Sequence, residues 1–345
     1  MRIRTAATGL AALVTIAAAL AAQTTAAARQ DDTKAAAVIA EARKAIGGRK
    51  LEALKSMSVE AGTQRNVGTF QMNADLELLL EMPDKYMRAE TPQGGVMNVG
   101  MTTGFNGDRP LKAAPAPGIG PGGGMIIRMG PGGPAPASTE KPTPEQQQQI
   151  DRTVVRSSRQ ELSRLMLGWF GAAHPSLNAR YVYAGEAESP DGKADVIDVK
   201  NADGFAARLF IDKQTHLPLM VTSQGPQARM VTMGGPRPGA APGQPPPARQ
   251  PTDEEQKKTT DDAQRQMEEM QKQPPAMVEY TLYFDDWREV DGIKFAHSLR
   301  RAAAGATTEE WSVKKIRVNP KIDPKKFEAA GTEPGTPATR DERVW

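Results

Sequence analysis

The sequence contains no cysteine. That absence excludes disulfide staples, a thiolate nucleophile, a cysteine-ligated metal and the cysteine-borne lipid of a lipoprotein. Histidine is nearly absent: His174, His216 and His297 are the three in 345 residues, and no HExxH-type spacing joins them. A zinc site or a histidine-activated nucleophile therefore has no local signature. Aromatics make up 5% of the chain. Charge of neither sign dominates, with 44 Lys and Arg against 41 Asp and Glu, so there is no basic footprint for nucleic acid. A G-x-S-x-G elbow is missing, and the Gly-rich runs at Gly122–Gly124 and Gly130–Gly133 lack a phosphate-loop Lys-Ser/Thr. The chain gives no residue-level support for an enzyme.

What is present begins with an export signal. Arg2 and Arg4 precede a small, apolar stretch from Ala6 to Ala22, and Ala26-Ala27-Ala28 offers small residues at a cleavage site. Residues 1–28 therefore read as a secretory signal peptide, which places the chain in the periplasm or outside the cell. After it, no run is long and apolar enough for a transmembrane span. Glycine and proline are enriched in two stretches, about 113–141 and 224–275, whose composition is that of irregular insertions. Met125-Ile126-Ile127 is a brief apolar island in the first. A polar tail covers 329–345. The remainder, 29–328, reads as a single domain that the insertions interrupt without dividing.

Hydrophobic periodicity fixes the elements. Asp32-Thr33 can cap a helix with Ala35, Ile39, Ala42 and Ile46 on one face and Gly47-Gly48 as its stop. Strands follow at Met57–Gln64, Gly68–Met82, Lys85–Thr91 and Val96–Phe105. In the second, Phe70, Met72, Ala74, Leu76, Leu78, Leu80 and Met82 alternate with polar residues, Leu79 excepted. Thr143-Pro144-Glu145-Gln146 carries the pattern of a capping box and opens a long amphipathic helix through Ile150, Val154, Leu162, Leu165, Met166 and Trp169, ending near Gly171. Tyr181–Thr222 is a four-strand meander with turns at Ser189–Gly192, Asn201–Gly204 and Asp212–Thr215. The last strands are Met277–Asp286, Ile293–Arg301 and Thr307–Val318, followed by Pro320–Phe327. The fold class is α+β: a curved, mostly antiparallel sheet forming an incomplete β-barrel, covered by two or three helices. Some ten strands exceed what a flat sheet tolerates, so the sheet must curl.

Three segments carry a family likeness. Leu209-Phe210-Ile211-Asp212 with Thr215 and Leu217-Pro218 resembles the strand–turn–strand signature of the LolA/LolB-like and LppX-like envelope proteins. Phe284–Ile293 is similar to a strand pair of the same superfamily, and Ile316–Phe327 to its usual finish. The resemblance implies a half-barrel that carries acyl chains, and so a lipid ligand. It covers 33–328 apart from both insertions.

Candidate site residues follow from alternation. Leu76, Leu78, Leu80, Tyr280, Leu282, Phe284, Phe295, His297 and Trp311 fall on apolar faces and are candidates to line a cavity or to form an ordinary core. His297 alternates with Ile293, Phe295 and Leu299 and points to the apolar face. Asp285-Asp286 and Glu309-Glu310 put neighbours on opposite faces, so neither is an acid–base dyad, and solvated charge is their default. The pairs Met97/Met101, Met230/Met233 and Met267/Met270 have thioethers suited to Cu(I) but lack nearby histidine, and methionine is equally a filler of apolar grooves. No cofactor and no metal are expected. The reading is a periplasmic binding or carrier protein for a hydrophobic or lipidic ligand. The alternative is a non-enzymatic envelope protein with a packed barrel and Pro-rich loops that engage a protein partner.

Overall fold

The computed structural model describes residues 30–67, 70–93, 101–111, 118–119, 125–129, 143–190, 192–227, 229–233 and 276–328. The expected leader, the tail, Met97, Met267, Met270 and most of both insertions lie outside them. Helix α1 covers 30–46, α2 Arg49–Glu52 and α3 Pro144–Phe170. The strands are β1 Ser56–Val67, β2 Phe70–Glu81, β3 Lys85–Pro92, β4 Met101–Asn106, β5 Arg109–Pro110, β6 Gly118–Ile119 and β7 Met125–Met129. They continue as β8 Arg180–Ser189, β9 Gly192–Lys200, β10 Ala206–Asp212, β11 Pro218–Pro226, β12 Arg229–Met233, β13 Met277–Val290, β14 Ile293–Ala303 and β15 Ala306–Val318.

The fold class is the expected one. Twelve strands join in the order β5-β4-β3-β2-β1-β15-β14-β13-β11-β10-β9-β8, so the sheet is open, with β5 and β8 at its two edges. Its ladders are antiparallel: tight turns link β2 to β3, β8 to β9 and β14 to β15, while β1 and β15 pair from positions far apart in the sequence. Register breaks at Glu60/Ala61, Phe210/Ile211, Tyr183/Gly185 and Arg301/Ala302 add bulges, which bend a strand and increase its twist. The chain forms two compact units. One comprises Gln160–Thr222, Leu282–His297 and the segment ending at Ala53; the other comprises Leu54–Arg159, Ser223–Thr281 and the segment starting at Ser298.

In the first unit, Ala35, Ala42 and Ile46 of α1 are buried along one face. The last turns of α3 bury Leu162, Leu165, Met166, Leu167, Trp169 and Phe170. Trp169 meets Phe295 edge-on at 6.4 Å, as Phe170 does, and its indole N–H donates to the Ala296 carbonyl at 3.2 Å. Arg43 of α1 donates to the Phe170 carbonyl at 2.9 Å, satisfying an acceptor at the helix end. Gly168 lies so close to β13 that a Cβ built on it would sit 1.9 Å from Cζ of Phe284. The meander's turns have the expected chemistry. Asp212 Oδ1 accepts from the Gln214 and Thr215 amides and from the Thr215 hydroxyl, at 3.0, 2.6 and 2.8 Å. Asn201 Oδ1 likewise accepts from the amides of Asp203 and Phe205.

In the second unit, β1 is the centre of a five-strand register. Leu80, Leu78 and Leu76 of β2 face Met57, Val59 and Ala61 of β1 and Tyr86, Arg88 and Glu90 of β3. The opposite face carries Leu79, the exception to the alternation. It is buried with Met87, Leu111 and Phe327, and Phe327 comes from a short 3-10 turn at Pro324–Phe327. The capping box of α3 is formed: the Gln146 amide donates to Thr143 Oγ1 at 3.3 Å and the Thr143 amide to Gln146 Oε1 at 2.9 Å. Ile150 and Val154, expected on the buried stripe of α3, are 45% and 41% exposed. Val155 takes up the buried position instead.

Two segments expected to be irregular are partly ordered. β7, from the first insertion, pairs with β12, from the second, over Met125↔Met233 to Met129↔Arg229, and β6 adds a third strand. The physical reason is local. Met125–Met129 and Arg229–Met233 are short β-competent runs without Gly or Pro, and each supplies the pairing edge that the other lacks.

Candidate functional site

The nine residues expected to line an apolar face divide between the units. Phe284, Phe295, Leu282 and His297 belong to the first and are 3%, 0%, 7% and 8% exposed. Phe284 and Phe295 pack on α3, and His297 Nδ1 lies 2.9 Å from the Phe295 carbonyl oxygen. Leu76, Leu78, Leu80 and Trp311 belong to the second and are buried; Tyr280, also there, is half-buried and donates its hydroxyl to the Pro226 carbonyl at 2.8 Å. Leu76, Leu78 and Leu80 share their face with Trp311: the Ala61, Val59 and Met57 row positions of β1 continue to Thr63, which pairs with Trp311.

Sequence reasoning missed what lies at the end of that face. Arg65, Glu309 and Arg301 occupy one cross-strand row on β1, β15 and β14, and Thr63, Trp311 and Leu299 occupy the next. Arg65 Nη2 contacts both carboxylate oxygens of Glu90, at 3.1 and 3.0 Å, and Glu309 Oε1 at 2.9 Å. Arg88 donates through Nε to Glu90 at 2.6 Å and through Nη2 to Glu309 at 2.8 Å, with a further Nη2 contact to Glu90. Arg301 Nε lies 3.3 Å from Glu309 Oε2. The Trp311 ring has the guanidinium of Arg88 at 4.8 Å and that of Arg301 at 5.4 Å from its centre. Arg88, Glu90, Glu309 and Trp311 are all under 9% exposed. Burial works against the charge on Glu309, but Arg88, Arg301 and Arg65 outweigh it and draw its pKa from 4.5 down to about 2.

Glu309 is thus not the solvated charge expected of an acidic pair. Its neighbour Glu310 is exposed, and the two do point to opposite faces. The signal that could have found it is its phase: Glu309 alternates with Trp311 and Val313, both buried. The same face reaches the surface beside this cluster. Met72 pairs with Arg65 and Met101 with Glu90, and they are 46% and 43% exposed.

Elsewhere in the first unit an open groove of about 750 Å³ runs along α1, lined by Ala36, Ile39, Ala40, Arg43 and Tyr181 among others. None of the nine expected residues lines it. His174 is buried and accepts from the Ser176 amide at the start of a 3-10 turn, while His216 sits in a turn with φ of 58°. Among the described residues, no three His, Asp or Glu side chains converge as a metal site, and no helix is long and apolar enough to cross a membrane.

No protein-family model matches the chain, and neither does any curated protein. Solved structures do. The chain is similar to a LolA superfamily protein from Nitrosomonas europaea, with 7% identity, 84% of this chain and 95% of that one covered, and a TM-score of 0.42. It is similar to a DUF1329 family protein from Desulfovibrio piger, with 10% identity, 85% and 97% covered, and a TM-score of 0.41. It is also similar to an outer membrane lipoprotein-sorting protein domain from Vibrio parahaemolyticus, with 10% identity, 84% and 94% covered, and a TM-score of 0.39. The first of these carries the superfamily name that the residues resemble.

Proposed function

We propose that this chain is an exported, periplasmic, non-catalytic binding or carrier protein for a hydrophobic or lipidic ligand. The ligand lies against the face of the second unit that carries Leu76, Leu78, Leu80 and Trp311. One observation carries this reading: cross-strand pairing puts apolar residues of β1, β2 and β15 on one face, and the same face emerges at exposed Met72 and Met101. Methionine is the adaptable side chain of surfaces that receive varied apolar partners. Because Leu76 and Leu78 are closed to solvent, an acyl chain enters from the methionine end and displaces what covers them.

Two measurements test this. Protein recovered from the periplasm is extracted with organic solvent and the extract is analysed by mass spectrometry. The emptied protein is titrated with N-phenyl-1-naphthylamine, a neutral apolar fluorophore. A co-purifying lipid and saturable fluorophore binding are expected. Protein that yields no lipid and binds no fluorophore is instead a packed envelope interaction protein, the reading favoured by the complete burial of Leu78.

A further inference from the structure

The apolar island Met125-Ile126-Ile127 has no part in the proposed ligand face. It lies in β7, the middle strand of the separate three-stranded sheet β12-β7-β6. Cross-strand pairing sorts that sheet along its length. At one end Met125 pairs with Met233 and with Ile119 of β6, and the next rows hold Ile126 with Thr232 and Ile127 with Val231. At the other end Arg128 pairs with Met230, and Met129 with Arg229. Apart from Thr232 and Gly118, the rows of the first end are apolar. The last two rows contain the only charged residues of the three strands, and both are arginines.

The charged end is the anchored one. The amide of Gln227, two residues before β12, donates to the carbonyl of Ala276 at 2.7 Å, immediately before β13. At about 3.3 Å per residue, Met125 lies about 10 Å beyond Arg128 along the strand. An apolar end thus stands in front of a pair of arginine positions. That order of polarity is the order of a membrane interface. There, apolar groups enter the headgroup–acyl boundary by about 5–10 Å, and cations meet anionic headgroups outside it. Two features limit the depth. β12 and β6 are the edges of this sheet, and the hydrocarbon core does not tolerate the unpaired backbone groups of an edge. A transmembrane strand also takes about nine residues, and β7 and β12 have 5 each. A second copy of the chain is a poorer occupant, because a self-complementary contact brings the same two positive charges from both sides.

We propose that the apolar end of the β12-β7-β6 sheet is a membrane-docking tip, which seats the chain on a lipid surface rich in anionic headgroups. Ile119, Met125, Ile127, Val231 and Met233 enter the headgroup–acyl boundary, and Arg128 and Arg229 meet lipid phosphates. Arginine suits a phosphate because its planar fork donates two parallel hydrogen bonds. Affinity at such an interface follows the apolar area buried plus the attraction to anionic lipid. The tip is separate from the proposed ligand face, and the inference goes beyond the carrier function without resting on it.

The test floats the full-length mature protein on a sucrose gradient with vesicles of phosphatidylglycerol and phosphatidylcholine in equal parts, or of phosphatidylcholine alone. Binding to the anionic vesicles is expected, about ten-fold tighter than to the neutral ones and weaker as salt rises. Arg128→Gln and Arg229→Gln should each weaken it about five-fold, the scale of one basic residue at an anionic surface. Ile127→Glu should abolish it. All three variants should keep the wild-type circular dichroism and the wild-type response to N-phenyl-1-naphthylamine, so loss of docking is told apart from loss of fold or of the carrier function. Should Ile127→Glu fail to fold, the arginine variants and the neutral vesicles still decide. Wild-type protein that does not float with anionic vesicles overturns the proposal. So does flotation that is indifferent to headgroup charge, or flotation that Ile127→Glu retains, which puts the lipid contact elsewhere in the chain. Dimers on size exclusion that Ile127→Glu abolishes, without vesicle binding, assign the apolar end to a second copy and overturn the membrane. Vesicle binding without fluorophore uptake overturns the carrier function alone.

Discussion

Gly168 of α3 and Phe284 of β13 meet backbone to ring, with no space for a side chain between them. Glycine inside a helix ordinarily lowers stability by about 1 kcal/mol relative to alanine. Here the close approach reverses the sign. Gly168→Ala recovers that propensity but forces Phe284 from its place, and overpacking of this kind costs about 1–3 kcal/mol. A net loss in urea unfolding is expected. Combining Gly168→Ala with Phe284→Leu shortens the obstructing ring, so the double variant should be more stable than the two single losses sum to. Strict additivity would refute the contact.

Glu309 sets a pH window. Its pKa in the folded chain is about 2, below its ordinary 4.5, so its ionised form favours folding. That contribution is complete above about pH 5 and is lost as the pH falls from about 4.5 towards 2, up to about 3 kcal/mol in all. Urea unfolding at pH 6, 4 and 3 should show this decline. Glu309→Gln should flatten it and should also lower stability at pH 6 by about 3–5 kcal/mol, because buried guanidiniums lose their counter-charge.

Leu78 and Met72 occupy one face of β2 and should respond oppositely. Leu78 is fully buried, so Leu78→Trp overpacks it and should cost about 1–3 kcal/mol. Met72 is 46% exposed, so Met72→Glu should shift stability by no more than about 0.5 kcal/mol. Its effect should fall on binding, with clearly weaker uptake of N-phenyl-1-naphthylamine. Unaltered binding by Met72→Glu would remove the methionine rim from the proposed entry.

The β10–β11 turn offers a graded test. Asp212→Ala deletes three hydrogen bonds and should cost about 1–2 kcal/mol, given a net worth of about 0.5 kcal/mol per exchanged bond at this exposed turn. Thr215→Val keeps the backbone amide bond to Asp212 and loses only the hydroxyl contacts, so its loss should be smaller. Thermal unfolding of the two variants gives the order.

What was legible in the sequence was local. The capping box at Thr143, the Asp212 turn and the alternation of β2 each depend on residues within a few positions of one another, and they appear where expected. What was illegible depends on partners far along the chain. The β7–β12 pairing joins two runs too short to declare themselves singly. Glu309 looks like any surface acid until β1, β3 and β14 bring Arg65, Arg88 and Arg301 around it. Phase gave the direction of its side chain, but not the three arginines that make its burial tolerable. The exposure of Ile150 and Val154 was also beyond reach, because periodicity identifies a stripe and not how much of it is covered.

The five-residue charge cluster also has a bearing on ionic strength. Salt screens charges that water surrounds and acts weakly on charges that it cannot reach. The sheet's outer pairs, Lys314–Asp75 and Arg317–Glu60, lie about half in solvent and will fade as salt rises. Glu309 with Arg88, and Glu90 with Arg88, will not. As salt rises, β3 and β15 therefore stay stitched from within by contacts indifferent to the medium, while the surface ion pairs loosen and re-form.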